Sequence, residues 1–299
     1  MTTAVRTAAT KRPPMDSLRK TALVAGILYL ITFISVATLT LYSPVLKDPA
    51  YILSSGSDAG LRWGALIDVI VALAGIGTAI TLYPVVRRQN ETFALGFVTT
   101  RVIEGAMLLT GVVSLLSLAS LHQAGAAAGA DSTALLTSGA SFVGTYNAAF
   151  LIGGTLMPAM NALLLGYLMY RSSLVPRLIP AIGLVGGVLM TSSVIGQILG
   201  INEKISVWSL IALLPIFLWE LSLGLWMTFK GFRKEAPLMV EAAAEAQSPH
   251  GSAPAVLSPI AVATTVREGM AGGAPSSPTN RPAAATMSGE VDLKPLIAM

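Results

Sequence analysis

The stretch FALGFVTTRVIEGAMLLTGVVSLLSLASL, residues 93–121, decides the fold. It exceeds the roughly 20 residues that a helix needs to cross a hydrocarbon core about 30 Å thick. Its only ionisable side chains are Arg101 and Glu104. Three positions apart, these two share one face of a helix and are within reach of each other. A charge inside such a run is costly in lipid, and the usual remedy is a partner on an inward-facing surface.

Five more apolar runs accompany it, at residues 21–46, 63–86, 141–170, 178–200 and 206–229. The first is too long for the apolar segment of a cleavable signal peptide and reads as a retained span. The chain is 54% hydrophobic and 11% charged, with a mean hydropathy of +0.71, whereas soluble domains run nearer a quarter charged. The expected fold is therefore all-α, a polytopic helical membrane protein with six transmembrane helices. Residues 18–233 form the membrane domain, between a polar arm at 1–17 and an Ala/Pro/Ser-rich tail at 234–299, both expected to be disordered. The segment from His122 to about Ala140, rich in Ala, Gly and Ser, reads as a loop, either lid or spacer, with Asp131 placed to cap a helix leading into the fourth span.

Six spans put both termini on one side, and basic residues near the span ends choose that side. Twelve fall with the termini: Arg6, Lys11, Arg12, Arg19, Lys20, Arg87, Arg88, Arg171, Arg177, Lys230, Arg233 and Lys234. Three, Lys47, Arg62 and Lys204, fall opposite. Both termini are expected to be cytoplasmic, in a bacterial plasma (inner) membrane. The net charge of +4 is spread thinly, with no basic patch interleaved with aromatics, so no nucleic-acid partner is expected.

Rise per residue places the remaining polar groups in depth. Counted from the terminal side, Arg101, Glu220 and Asn161 lie roughly 13–15 Å in and Glu104 roughly 18–20 Å in. They form one layer, in which Glu220 is a plausible third member beside Arg101 and Glu104. This layer reads either as an ion-pair network that fixes helix packing or as a substrate or proton site. Asp68 sits nearer the opposite face, at the depth of Gln197, and reads as an interfacial carboxylate close to Arg62 or as half of a proton path. Pro158 and Pro215 each free a backbone carbonyl one turn earlier, which reads either as a simple kink or as part of a broken-helix ion site. The glycines of Gly183-x-x-x-Gly187 and Gly196-x-x-x-Gly200 fit close helix packing or homodimerisation.

Several chemistries lack their residues. With no cysteine there is no disulfide, thiolate nucleophile, zinc ribbon or iron–sulfur ligation. Both histidines, His122 and His250, fall outside the runs, which argues against an intramembrane bis-His haem or an HExxH zinc site. Nucleophile-elbow, P-loop and dinucleotide-binding patterns are absent, and Asp68 has no second intramembrane Asp for a dyad. No cofactor and no metal site is expected.

Five blocks carry a resemblance: RKTALVAGILYLITF from Arg19, LRWGALIDVIVAL around Asp68, RVIEGAML from Arg101, LLLGYLMYRSSLVPRLIPAIG, and LWELSLGLWMTFKGF from Leu218. In this order they resemble a bacterial integral-membrane family known as domain-of-unknown-function family 4386, over roughly residues 18–233. The resemblance implies the membrane fold and places Asp68, Arg101, Glu104 and Glu220 at positions that are polar in such proteins, but it names no activity. Where members carry a His five residues before the Gly of LLLGYL, this chain has Asn161, which argues against a metal or haem there. The functional expectation is a non-enzymatic scaffold or sensor with a buried polar cluster. The alternative is a small-solute or proton-coupled transporter using Arg101, Glu104 and Glu220. Beyond the lipid bilayer, the expected partner is a second copy or another membrane protein.

Overall fold

A computed structural model describes residues 17–128 and 131–247. The arm before Ser17 and the tail after Gln247 lie outside the described residues, as do positions 129 and 130. No strand occurs among the described residues. Helix α1 (Ser17–Thr32) passes through a 3-10 turn at Phe33–Ala37 into α2 (Thr38–Leu41). The first span then stops short of the expected residue 46, because Pro44, with no N–H to donate, begins the separate short helix α3 (Ser43–Lys47). A strap with one 3-10 turn at Tyr51–Leu53 leads from there to α4 (Ala59–Val86), followed by α5 (Glu91–Ala128) and α6 (Ser132–Phe150). A π-turn at Leu151–Leu156 joins α6 to α7 (Met157–Ser172), and α8 (Leu178–Ile198), α9 (Val207–Phe229) and α10 (Pro237–Gln247) complete the order.

Six helical segments are long and apolar enough to cross a membrane: Ser17–Leu41, Ala59–Val86, Glu91–Gly125, Ser132–Ser172, Leu178–Ile198 and Val207–Phe229. The exterior is apolar as well, with Leu73, Ile80, Val113 and Val188 all more than 60% exposed. In lipid such exposure carries no penalty, so burial of apolar surface cannot hold the helices together and close backbone packing has to do it.

Glycine supplies that packing. A Cβ on Gly26 of α1 would lie 2.5 Å from the backbone nitrogen of Thr228 and 2.9 Å from the carbonyl oxygen of Gly224 on α9. Gly183 receives the indole of Trp219, and Gly187 lies against Leu163 and the Ala159 carbonyl, so this pair packs α8 onto its neighbours within the chain. At the bundle's basic end, Arg19 donates to the carbonyls of Met227 and Thr228 at 2.9 and 2.7 Å, capping the last turn of α9. A cation there both satisfies orphan carbonyls and complements the helix dipole.

Two expectations need correction. The segment 122–140 is not a loop, because α5 continues to Ala128 and α6 starts at Ser132, with Asp131 accepting from the Thr133 amide as its cap. Alanine-rich sequence favours helix wherever a partner helix covers it, and Leu135 of α6 packs on Gly125 of α5. At 38 residues, α5 is about 57 Å long, so the α5–α6 hairpin outreaches a hydrocarbon core. Beyond residue 234, where composition suggested disorder from the outset, α10 forms, and Ala236, Leu238 and Met239 join the main apolar core.

The glycine contacts give a first test. Gly26→Leu should destabilise the protein by about 1–3 kcal/mol or more, since the Thr228 nitrogen and Gly224 carbonyl beside it are backbone and cannot move aside. Gly144→Ala, where a Cβ meets nothing within 4 Å, should stabilise by about 0.5–1 kcal/mol through helix propensity. Thermal unfolding in detergent measures both, and equal shifts would show that the α1–α9 crossing is not close-packed.

Candidate functional site

Arg101 projects from α5 into the bundle and is 2% exposed. One terminal nitrogen, Nη1, donates to both oxygens of Glu104 at 3.0 and 3.1 Å. The other, Nη2, donates to the Tyr29 hydroxyl at 3.0 Å and to Glu220 Oε1 at 3.1 Å. The guanidinium carbon also lies 5.0 Å from the centroid of the Tyr29 ring and 5.9 Å from that of Phe97, within cation–π range. Glu104 is held from its far side by the Asn161 amide, whose own oxygen lies against the Thr100 hydroxyl. The network thus joins α1, α5, α7 and α9, which are the first, third, fourth and sixth spans.

Two backbone features bring these side chains together. Gly75 of α4 faces the guanidinium, where a Cβ would stand 3.8 Å from Nη1. The π-turn at Leu151–Leu156 adds a residue to the helical path just before Pro158, whose missing N–H leaves an earlier carbonyl without its usual donor. Gly153 in that turn lets the chain touch α5, since a Cβ would sit 2.5 Å from Met107 Cβ and 3.2 Å from the Glu104 carbonyl oxygen. One turn further on, α7 presents Asn161 to Glu104.

The structure therefore unites Arg101, Glu104, Asn161 and Glu220, and adds Tyr29. Tyrosine at the centre of an apolar run carries no charge signal, and only its depth, matching that of Arg101, could have pointed to it. Asp68 stands apart. It lies seven residues before Gly75 on α4, about 10 Å along the axis. Its carboxylate does not reach water beside Arg62: it is 6% exposed and accepts a 2.8 Å hydrogen bond from the Tyr42 hydroxyl. Gly64 makes room for the Tyr42 ring, which also packs edge-on against Tyr146. Gln197, expected at a similar depth, turns its amide to Ser193 and Ser209, in a knot of small polar groups with Asn202.

A second buried ionic group went unread in the sequence. His122, on the extended part of α5, places Nδ1 2.9 Å from Asp58 Oδ1 and Nε2 2.7 Å from the Ser54 carbonyl oxygen. Asp58 also accepts from the Tyr51 hydroxyl at 2.9 Å and from the Gln123 amide at 3.2 Å. Burial works against its charge, but the bonds from His122 and Tyr51 outweigh burial and hold Asp58 below the usual carboxylate range. Burial, together with the Asp58 carboxylate it must face, pushes the Tyr51 hydroxyl up to about 12. The signal available was the stripe Leu115, Leu118, Ala119, His122, whose helical spacing continues the buried face of α5 beyond residue 121.

Among the described residues no three His, Asp or Glu side chains converge as a metal-binding set. Compared with known proteins, residues 24–231 match the family described as Domain of unknown function (DUF4386). No curated protein and no solved structure matches the chain.

The network predicts an order of rescue. Arg101→Met strands Glu104 and Glu220 without their cation and should cost about 3–5 kcal/mol. Adding Glu104→Gln should restore more stability than adding Glu220→Met, because the Glu104 side chain is 12% exposed and the Glu220 side chain 18%. Thermal unfolding of the three variants checks this, and double variants no better than Arg101→Met alone would refute the pairing.

Proposed function

The chain belongs to the domain-of-unknown-function family DUF4386, a membership that names no activity, and we propose that it serves as a non-enzymatic scaffold or sensor, with the ionic cluster organising its helices. One observation carries this reading: the guanidinium of Arg101 is buried, and both terminal nitrogens are committed to Tyr29, Glu104 and Glu220 of the same chain. An arginine that receives an anionic solute needs donors open to that solute. Here only Nε lacks a partner, and it is buried. The transport reading draws its support from Glu220, the most exposed of the charged members.

We further place the protein in a bacterial plasma membrane with both tails cytoplasmic, and the twelve basic residues against three support that orientation. A reporter inserted after Asp131 should score as external, and a cytoplasmic score there would reverse the orientation.

Purified protein in liposomes separates the two functional readings. Under an imposed pH gradient, the scaffold reading expects proton leak and solute uptake equal to those of protein-free vesicles. A protein-dependent flux that disappears in Glu220→Gln would replace it with transport.

A further inference from the structure

The His122 group joins α5 to the chain that leads into α4. Both ring nitrogens face acceptors, a carboxylate oxygen and a backbone carbonyl oxygen. A neutral imidazole carries one N–H and can satisfy only one of them, whereas the imidazolium satisfies both. The surroundings agree, since Tyr51 and Gln123 point hydrogen-bond donors at Asp58, which suits a carboxylate and not a carboxylic acid. The titratable groups facing the ring are Asp58, at the start of α4, and Tyr51, from the strap, whose ring lies 5.3 Å from the imidazole.

Both acceptors that face the ring belong to the strap, residues 48–58. Ser54, Tyr51 and Asp58 are its three attachments to this group. Beneath it, Ile52 packs on Gly139 of α6. The same segment forms one wall of a cleft of about 290 Å³, lined on its other sides by Leu118, Val143, Gly144 and Asn147.

We propose that His122, Asp58 and the Ser54 carbonyl form a proton-binding site that fastens the 48–58 strap over this cleft. The sign follows from the donors. With the proton bound the strap is tied at both ring nitrogens; as pH rises and the proton leaves, one tie is lost and the strap loosens. In acid the clamp fails only when Asp58 itself takes up a proton.

The chain has no cysteine and two histidines, so both the strap and the ring can be watched in the full-length protein. Ile52, 4% exposed, replaced as Ile52→Cys, reports opening through its rate of maleimide labelling. Dividing by the rate of the exposed Glu203→Cys removes the intrinsic pH dependence of the thiol. The ratio should stay low through neutral pH and rise severalfold in mild alkali, and Asp58→Asn should move that rise to lower pH by removing the negative charge that holds the proton. In parallel, nitrogen-15 histidine spectra of the His250→Asn protein should show a doubly protonated ring at neutral pH. A ratio that does not change with pH, an unmoved profile in Asp58→Asn, or a neutral ring at neutral pH would each overturn the proposal.

Discussion

Everything in the bundle answers to one guanidinium. Arginine cannot shed its charge in a protein, so placing Arg101 in the middle of an apolar helix obliges the rest of the fold to bring partners to it. Insertion of an unpaired arginine at that depth costs about 2.5–3.5 kcal/mol on translocon scales. Here α1, α5 and α9 each contribute a direct partner, and α7 holds Glu104 from behind. A lateral shift of any of these helices by a few ångströms would leave a buried charge with a lost bond. On the proposed reading the cluster is a registry device, selecting one packing among several that apolar contacts alone would leave close in energy.

Registry needs helices that can approach, and the glycines meet that need where the cluster requires it. Gly26 and Gly224 bring α1 and α9 together on the side from which Tyr29 and Glu220 reach Arg101, while Gly153 lets the fourth span touch α5 beside Glu104. The π-turn has the same logic in rotation. One extra residue turns the following helix by about 100° relative to an unbroken one, which selects the face of α7 that meets α5. Proline and glycine, helix breakers in water, here tune the phase and distance of one polar contact.

The six spans and most of the central cluster were legible because their signals are local. Run length gives the spans, a separation of three puts Arg101 and Glu104 on one face, and depth along each helix brings Glu220 and Asn161 to the same layer. Tyr29 was hidden, since its side chain is an apolar ring but for a single hydroxyl and carries no charge. Asp68 misled because depth along a helix says nothing about rotation: the carboxylate lies near a span end, yet its face of α4 is covered by Tyr42. The 122–140 segment misled for another reason. Its Ala, Gly and Ser residues form a smooth helical surface once α5 and α6 lie side by side, and that partnership is a tertiary fact.

The two ionic groups differ in what their loss would release. The Arg101 network ties four spans at mid-bundle, so opening it means separating helices along much of their length. The His122 group ties a short strap to the outer part of one helix, and its loss would free only that strap, the kind of low-cost local opening from which functional motions are drawn. Charge type matches these duties. Arginine keeps its proton throughout the physiological range and suits a permanent joint, whereas histidine is the side chain whose charge responds near neutrality. A protein assembled around a fixed charge at its centre and a titratable one at its edge can move at that edge without disturbing the bundle.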